Sequence, residues 1–402
     1  YDQSTGILTL HNYMDFVDLT DYATLSYELN CDGQVVSAGS VPFPGGFRLP
    51  PHADGTLPLP LDVPAKGKCF VNICYHCKQD SALIKADHLL GFDEIPLQNS
   101  DPRNQDAVQL LGRPAGDGLI TIRETDRMLV LSCEQFTYVF NKLTGLFDKM
   151  TFANEPLLDQ PMGFNVWRAP TDNDRKLKAD WYAAHYDHAA TNAYHTEYTV
   201  TASGVTLHTH VGIAAICVQK FLDLDVTWTV ANNGSVDLAL HAQRNTVFPE
   251  LPRFGLRLFL PQEMSQVNYY GMGPMECYCD KHHAASHNSY TATVWQLHED
   301  YIRPQENGSH FDCDYVMLAG DAVRLTAVGT QPFSFNASHY TQEELTRKAH
   351  NYELEPCSST VLCLDYAQNG IGSESCGPRL LEQYRLDDAT FNFGLRLFPE
   401  KK

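Results

Sequence analysis

The segment of residues 163–175 has the side-chain types and spacing best suited to chemistry. Apolar residues lead into Trp167-Arg168-Ala169-Pro170, and Thr171-Asp172-Asn173-Asp174 follows at once. Two carboxylates could act as acid and base, and glycoside cleavage uses two carboxyl groups about 5–9.5 Å apart. Asp172 and Asp174 stand at the start of a predicted helix, where such side chains diverge and usually cap backbone amides. We therefore favour a structural role over a catalytic dyad, while a positioning or hydrogen-bonding role stays open.

Two later turns carry other polar candidates. Glu276 and Tyr278 follow a glycine-rich turn and could face a ligand, although a structural acid in a turn is the favoured interpretation. Arg303, Glu306 and Asn307 surround the next turn. Since buried polar groups must satisfy one another, these three are predicted to form a buried polar network.

A third glycine-rich turn, residues 370–378, contains Cys376. No helix clearly follows it, so we predict a shaped surface loop and not a phosphate cradle, which requires a helix N-terminus. Cys74-Tyr75-His76-Cys77 has metal-ligand spacing but lacks the second Cys-x-x-Cys pair of a zinc site, so structural thiols are favoured. The sequence has no nucleophile elbow, phosphate loop, dinucleotide fingerprint or His-Glu-x-x-His motif. The absence of these motifs argues against most enzyme activities for this chain in isolation.

The composition describes a large globular chain that disfavours anionic partners. The 402 residues are 43% hydrophobic and 19% charged, enough for two or three domains with a sizeable core. A formal charge of −20 repels phosphate backbones and anionic lipids, so we expect neither nucleic-acid nor membrane binding. A neutral partner such as a sugar fits better.

The cysteines and the first residue bear on the cellular location of the chain and on whether it is part of a longer protein. The 12 cysteines are spread through a long sequence, and several lie in apolar strand-like runs, which suits reduced buried thiols and a cytoplasmic location. The chain begins with Tyr1, with no signal-peptide pattern and no apolar run of membrane-spanning length. We expect it to be a piece of a longer chain or a processed product.

The elements that must position these groups are almost all strands. Residues 1–95 contain short alternating strands and the hairpin signal Asp32-Gly33, which predict an immunoglobulin-like β-sandwich. Breaker-rich residues 96–118 are predicted to be a linker. Residues 119–402 contain many more alternating strands, a second hairpin signal at Asn232-Asn233-Gly234 and two credible helices, near Asn173 and at the capping box of Thr341. The fold class is therefore all-β, with a large antiparallel two-sheet sandwich following a smaller one.

With these segments in hand, the chain resembles the C-terminal half of family-2 β-galactosidases. Any one motif is weak, but together and in this order they are specific. The motifs that carry the resemblance are Asn12-Tyr13-Met14-Asp15-Phe16 with Leu19-Thr20-Asp21, Trp167-Arg168-Ala169-Pro170-Thr171-Asp172-Asn173-Asp174, Leu251-Pro252-Arg253-Phe254-Gly255-Leu256, Tyr270-Gly271-Met272-Gly273-Pro274-x-Glu276-x-Tyr278-x-Asp280, Pro304-Gln305-Glu306-Asn307-Gly308, Phe335-Asn336-Ala337-Ser338-His339-Tyr340 and Gly370-Ile371-Gly372.

The resemblance implies a domain organisation and places the catalytic residues outside this chain. Residues 1–95 would be the family's immunoglobulin-like fourth domain, and residues 119–402 its fifth domain, an antiparallel β-supersandwich that closes over the active site. The two catalytic glutamates of this retaining glycosidase lie on a (β/α)8 barrel that this chain lacks, so no catalytic residue is expected here. Magnesium and most sodium ligands are expected in that barrel as well.

The resemblance also implies substrate-bordering residues and partners. Arg168, Asp172, Asn173 and Asp174 match a loop beside the galactoside pocket. Cys376 aligns with a loop position that reaches into the pocket and supplies a stacking tryptophan in the best-known member; here the loop is shorter, and a thiol offers no ring face for a sugar. The expected partners are a β-galactoside, the barrel-containing N-terminal part and further copies in a homo-oligomer. A free-standing carbohydrate-binding or structural module is the alternative, because a sandwich fold does not fix function.

Overall fold

The computed structural model describes residues 1–372 and 376–402, which form two compact units. The first comprises residues 1–108 with 286–289, and the second comprises residues 109–285 and 290–402. The division falls within the predicted linker, and the limits at 95 and 119 stay predictions. No helix in the described ranges is long and apolar enough to cross a membrane.

The first unit is built from two antiparallel sheets around one apolar core. Its elements are β1 (Ile7–His11), α1 (Leu19–Tyr22), β2 (Ala23–Cys31), β3 (Gln34–Val41), β4 (Asp54–Pro58), β5 (Cys69–Cys77) and β6 (Leu89–Pro96). β1 pairs with β4, and the other strands form a sheet in the order β3-β2-β5-β6. Leu8 on β1, Leu25 on β2 and Leu57 on β4 are buried in the shared core. The predicted immunoglobulin-like sandwich is therefore confirmed.

The hairpin and linker predictions differ in outcome. Asp32 and Gly33 have φ angles of 52° and 81° between β2 and β3, so the predicted two-residue hairpin is confirmed. Helix α2 (Gln105–Leu111) lies in the linker, where composition predicted only a breaker-rich connection. The Asn104 side chain accepts a hydrogen bond from the Ala107 N–H at 3.0 Å, which starts this helix.

The remaining strands form a 5-stranded and a 12-stranded sheet, and they belong to the second unit except for residues 286–289 at the start of β19. They are β7 (Thr121–Glu124), β8 (Met128–Ser132), β9 (Phe136–Asn141), β10 (Leu146–Phe152), β11 (Glu155–Pro156), β12 (Gln160–Asn165), β13 (Ala190–Thr201), β14 (Gly204–Ala214), β15 (Leu222–Ala231), β16 (Val236–Arg244), β17 (Arg253–Pro261), β18 (Gln266–Gly273), β19 (Ser286–Thr293), β20 (Ser309–Ala319), β21 (Val323–Ser338), β22 (Ser359–Gln368) and β23 (Thr390–Lys401). The small sheet runs β11-β10-β9-β8-β7. The large one runs β12-β17-β22-β21-β23-β16-β15-β14-β13, with β18, β19 and β20 attached through β21.

One core joins the two sheets of the second unit. Phe140 and Phe147 from the small sheet pack with Trp228 on β15, and the rings of Phe147 and Trp228 meet edge to face at 5.3 Å. Side chains of both sheets therefore fill one interior, which confirms the predicted large antiparallel sandwich. The predicted hairpin at Asn232-Asn233-Gly234 is present between β15 and β16.

The predicted helices are present with one change of boundary. Near Asn173 a 3-10 turn (Asn173–Arg175) comes first, and α3 (Leu177–Ala183) follows. The helix ends before His185, which has a left-handed φ of 58°. At α4 (Gln342–Arg347) the Thr341 hydroxyl accepts the Glu344 N–H at 3.1 Å, as the capping box predicted.

Strand direction brings two loops to the same edge of the large sheet. β12 and β22 both pair antiparallel with β17, so they run in the same direction. Asn165 faces Gly255, and Gly255 faces Asp365 on the other side. The C-terminal ends of β12 and β22 therefore lie on either side of the start of β17. The segments that follow them are the loop carrying Arg168 and the loop leading toward Cys376.

A buried histidine makes the stability of the second unit depend on pH. His310 is 1% exposed, and its Nδ1 lies 3.1 Å from Tyr269 Oη. Burial lowers the pKa of His310 from 6.5 to about 4. Because the unfolded chain binds this proton at a higher pH than the folded chain, this stabilisation is complete above about pH 6.5 and is lost as the pH falls toward 4.

We expect the His310 proton to reduce the free energy of unfolding by roughly 2 to 3 kcal/mol by about pH 4.5. Urea titrations at neutral pH and at about pH 4.5 measure the change in the free energy of unfolding. Other titrating groups add to this change, and they do so in the wild-type chain and in a His310 variant alike. His310→Gln, which cannot bind this proton, should show a correspondingly smaller loss on acidification. An equal loss in both proteins would contradict the assignment.

Candidate functional site

Arg168 connects the two loops at this edge of the sheet. It is fully buried just beyond β12, and its guanidinium lies over the Trp181 ring, 5.1 Å from the centroid. Nη2 forms an ion pair with Asp174 Oδ1 at 2.7 Å and donates to the Gly370 carbonyl oxygen at 3.2 Å. Nη1 donates to the Asn369 carbonyl oxygen. The Arg168 side chain thus holds a backbone segment that lies about 200 residues later in the sequence.

The other predicted residues of this loop have distinct surroundings. Asp174 is 3% exposed, and its Oδ2 accepts the Thr171 N–H at 2.8 Å. Asn173 is half-buried and donates from Nδ2 to the Ile371 carbonyl oxygen at 2.6 Å. Asp172 is exposed, and its side chain makes no capping hydrogen bond, so the predicted cap at this residue was wrong. Its N–H instead donates to Gln305 Oε1 at 3.0 Å.

The structure therefore brings three of the five predicted site residues together. Arg168, Asn173 and Asp174 form one hydrogen-bonded group with residues 369–371. Asp172 and Cys376 are exposed on the loops that this group anchors. Residues 373–375 of the predicted turn lie outside the described residues.

Asp280 is a further anchor that sequence reasoning gave no role. Its Oδ1 accepts the Ile371 N–H at 3.0 Å, and its Oδ2 accepts the Gly372 N–H at 2.7 Å. A Cβ atom on Gly370 would lie 2.7 Å from Asp280 Oδ2, so the contact requires glycine there. In the sequence, Asp280 is an acid seven residues after the Gly271-Met272-Gly273 turn, and spacing cannot reveal a backbone partner 91 residues away.

A second buried ionic group supports the same loops. Arg253, the first residue of β17, is fully buried, and its Nη1 lies 2.8 Å from Glu306 Oε1. Its Nε donates to Asp365 Oδ1 at 3.2 Å, and its Nη2 pairs with Asp365 Oδ2. The Glu306 N–H donates to the Ala169 carbonyl oxygen at 2.9 Å. The anchor loop, β17 and β22 are thus connected through buried polar groups.

This group corrects the predicted network around Pro304. Glu306 and Asn307 are buried, as predicted, but Arg303 is exposed. The cation is Arg253, because its buried position at the strand start lets one guanidinium meet Glu306 and Asp365. Burial raises the pKa of both carboxyl groups, although the Arg253 charge opposes the rise. Glu306 Oε2 has no hydrogen-bond partner among the described residues.

Glu276 lies beside a cavity of the second unit, whereas Tyr278 is buried. The cavity of about 440 Å³ is lined by Met275, Glu276, Lys281, His282, His283, Glu299 and Tyr301, among others. Glu276 Oε1 lies 2.8 Å from Lys281 Nζ, and Oε2 accepts the Gly308 N–H at 2.9 Å. Burial opposes ionisation of Glu276, but the hydrogen bonds from Lys281, Tyr301 and Gly308 hold its pKa below the usual value.

In residues 1–372 and 376–402, no group of three or more His, Cys, Asp or Glu side chains is placed to hold a metal ion. Cys74 and Cys77 lie on the same strand, β5. The assignment of magnesium and sodium to the barrel stays a prediction of the resemblance.

Comparisons with known proteins agree with this architecture. The family described as "Beta galactosidase small chain" matches residues 132–397, and "Beta-galactosidase, domain 4" matches residues 8–98. A β-galactosidase of Actinobacillus pleuropneumoniae is 37% identical over 98% of this chain and 38% of its own length. A β-galactosidase of Staphylococcus xylosus is 33% identical over 97% of this chain and 38% of its own length.

Among solved structures, the chain is similar to a galactose mutarotase-like protein from Lactobacillus casei ATCC 334, at 10% identity and a TM-score of 0.37, over 68% of this chain and 100% of that one. The chain spans about two fifths of the length of the two curated relatives named above. The small-chain match covers more than half of the chain, including both loops at the sheet edge. The chain therefore belongs to the β-galactosidase small-chain family.

Proposed function

We propose that this chain is the small-chain part of a β-galactosidase, a retaining glycoside hydrolase that cleaves terminal β-D-galactosides such as lactose. The observation that carries the proposal is the small-chain match over residues 132–397, preceded by the domain 4 match over residues 8–98. Relatives named β-galactosidase align along nearly the whole chain, which supports the same assignment.

In this proposal the chain completes the rim of the galactoside pocket. Arg168, Asn173 and Asp280 bind residues 369–372 at both carbonyl and N–H groups, so the loop is held before any sugar arrives. The exposed Asp172 carboxylate can accept hydrogen bonds from sugar hydroxyls. Preorganised groups of this kind raise affinity because little conformational entropy is lost on binding.

Catalysis would come from a partner part of the enzyme. Retaining glycosidases use two carboxyl groups about 5–5.5 Å apart, one as acid and base and the other as nucleophile. We assign both to glutamates of a barrel-containing N-terminal part, together with the magnesium and sodium ions. The buried ionic groups of this chain serve to position loops, and the complete enzyme is proposed to be a cytoplasmic homo-oligomer.

The isolated chain is expected to show no turnover of a chromogenic galactoside. Arg168 and Asp174 are paired with each other inside the protein, and Arg253 is paired with both Glu306 and Asp365. The measurement is release of nitrophenol by the pure chain at high concentration, compared with the Asp172→Ala variant. Turnover that the variant abolishes would place catalysis in this chain and contradict the proposal.

A further inference from the structure

Two cysteines of the first unit face each other across neighbouring strands. Cys31 ends β2, Cys69 begins β5, and the antiparallel register pairs them directly. The Asp32 N–H donates to the Lys68 carbonyl oxygen at 3.1 Å, which identifies Cys31 and Cys69 as a non-hydrogen-bonded pair. In such pairs the Cα atoms are about 4.5 Å apart and the side chains are close. The two Sγ atoms are 2.9 Å apart.

The surrounding loop leaves room for this sulfur pair and for little else. Gly67 has a φ of 103°, and a Cβ atom there would lie 2.5 Å from Cys31 Sγ. Asn99 Nδ2 donates to the Gly67 carbonyl oxygen at 2.8 Å and lies 3.6 Å from Cys69 Sγ. The Cys31 thiol donates to the Lys66 carbonyl oxygen at 3.4 Å. Glycine and an anchored loop thus keep the two sulfurs in contact.

The two thiols differ in solvent exposure, and this difference sets the order in which they react with a small reagent. Cys31 is half-buried, so a small reagent can reach it, whereas Cys69 is 2% exposed. A reagent that first joins Cys31 would place a mixed disulfide directly beside Cys69. The Cα spacing of facing strands lies within the range that disulfides adopt, so closure requires no separation of the strands.

We propose that Cys31 and Cys69 are a site of reversible cross-strand disulfide formation by exchange with a small-molecule disulfide such as oxidised glutathione. The Cys31 thiolate attacks one glutathione sulfur, the glutathione disulfide bond breaks, and one glutathione leaves as a thiolate. The Cys69 thiolate then attacks the Cys31 sulfur, and the second glutathione leaves. The protons of the two cysteine thiols end on the two glutathione thiolates, and two electrons pass from the chain to the oxidant.

The buried surroundings of the two thiols make this disulfide exchange slow at neutral pH. Burial raises the pKa of the Cys69 thiol to about 12, and burial and the nearby Asp32 carboxylate raise the pKa of Cys31. Because the thiolate is the nucleophile, formation should accelerate roughly tenfold for each pH unit between about pH 7 and pH 9. The pair should therefore stay reduced in a reducing compartment and close under sustained exposure to a disulfide oxidant.

The test is incubation of the whole chain with oxidised glutathione, alkylation of remaining thiols and peptide mapping without reduction. We expect a peptide pair that contains Cys31 and Cys69, lighter by two hydrogens and separated by dithiothreitol. Cys74→Ser, which removes a neighbouring thiol of β5, should leave the linked pair unchanged. Cys31→Ser should remove it and leave Cys69 unmodified in the folded chain.

Two results would overturn the proposal. One is recovery of Cys31 and Cys69 as separate glutathione adducts or free thiols after oxidation of the native chain at about pH 9. The other is a linked pair that forms only after denaturation, since the strand register would then not be what joins the sulfurs. Neither result depends on galactosidase activity, so the outcome is independent of the proposed function.

Discussion

Replacing Arg253 with methionine is expected to lower the free energy of unfolding of the second unit by about 3–5 kcal/mol. Arg253 is the cation between Glu306 and Asp365, and each of the three side chains is at most 2% exposed. Its removal leaves two carboxyl groups buried without their cation. They must be protonated or solvated, and both alternatives cost free energy.

The measurement is denaturant unfolding followed by tryptophan fluorescence. All four tryptophans lie in the second unit, so the signal reports that unit alone. Arg257→Met is the matched control on the same strand, because Arg257 pairs at 2.9 Å with Glu343, which is 55% exposed. We expect it to cost less than about 1 kcal/mol. Equal losses for the two variants would show that the buried group contributes no more than a surface pair.

Replacing Asp280 with alanine is expected to reduce kcat/KM of the assembled enzyme by roughly ten- to a hundredfold, mainly through a higher KM. Asp280 accepts the N–H groups of Ile371 and Gly372, and without it the loop toward Cys376 loses one of its two sets of anchors. In the proposed pocket rim, a loop displaced by about an ångström would no longer present its groups to the sugar at hydrogen-bonding distance.

Steady-state kinetics with a chromogenic galactoside measure the Asp280 effect. Asp280→Asn keeps one acceptor oxygen and should recover part of the affinity. Asp321→Ala removes an exposed aspartate from the turn between β20 and β21 and should leave both constants unchanged. An Asp280→Ala enzyme with an unaltered KM would mean that this loop does not border the bound galactoside.

The sequence predicted the elements whose signals are local. Asp32-Gly33 encodes its hairpin because two adjacent left-handed residues suit the twist of the flanking strands. Thr341 encodes its helix start because the cap acts within one turn. The linker helix was missed although Asn104 is a good cap, because the surrounding prolines and glycines dominated the composition.

The supporting network could not be predicted because its partners are distant in sequence. Arg253 reaches Asp365 over 112 residues, and Arg168 reaches Asn369 over 201. Arg303 looked like the partner of Glu306 because it is a neighbour along the chain, yet the sheet brings β17 to that position instead. The structure brings the two loops that carry family motifs to one edge of the large sheet. The motifs did not reveal which of their side chains are buried and which are exposed.

The proposed role of the chain is tested most directly by mixing the pure chain with the matching barrel-containing part of the enzyme and assaying galactoside hydrolysis. We expect no turnover by the chain alone and co-elution of the two parts as one complex. The mixture should hydrolyse the substrate at least roughly a thousandfold faster than the background rate without enzyme. A co-eluting complex with no hydrolysis above background, or hydrolysis by the chain alone, would contradict the proposed role.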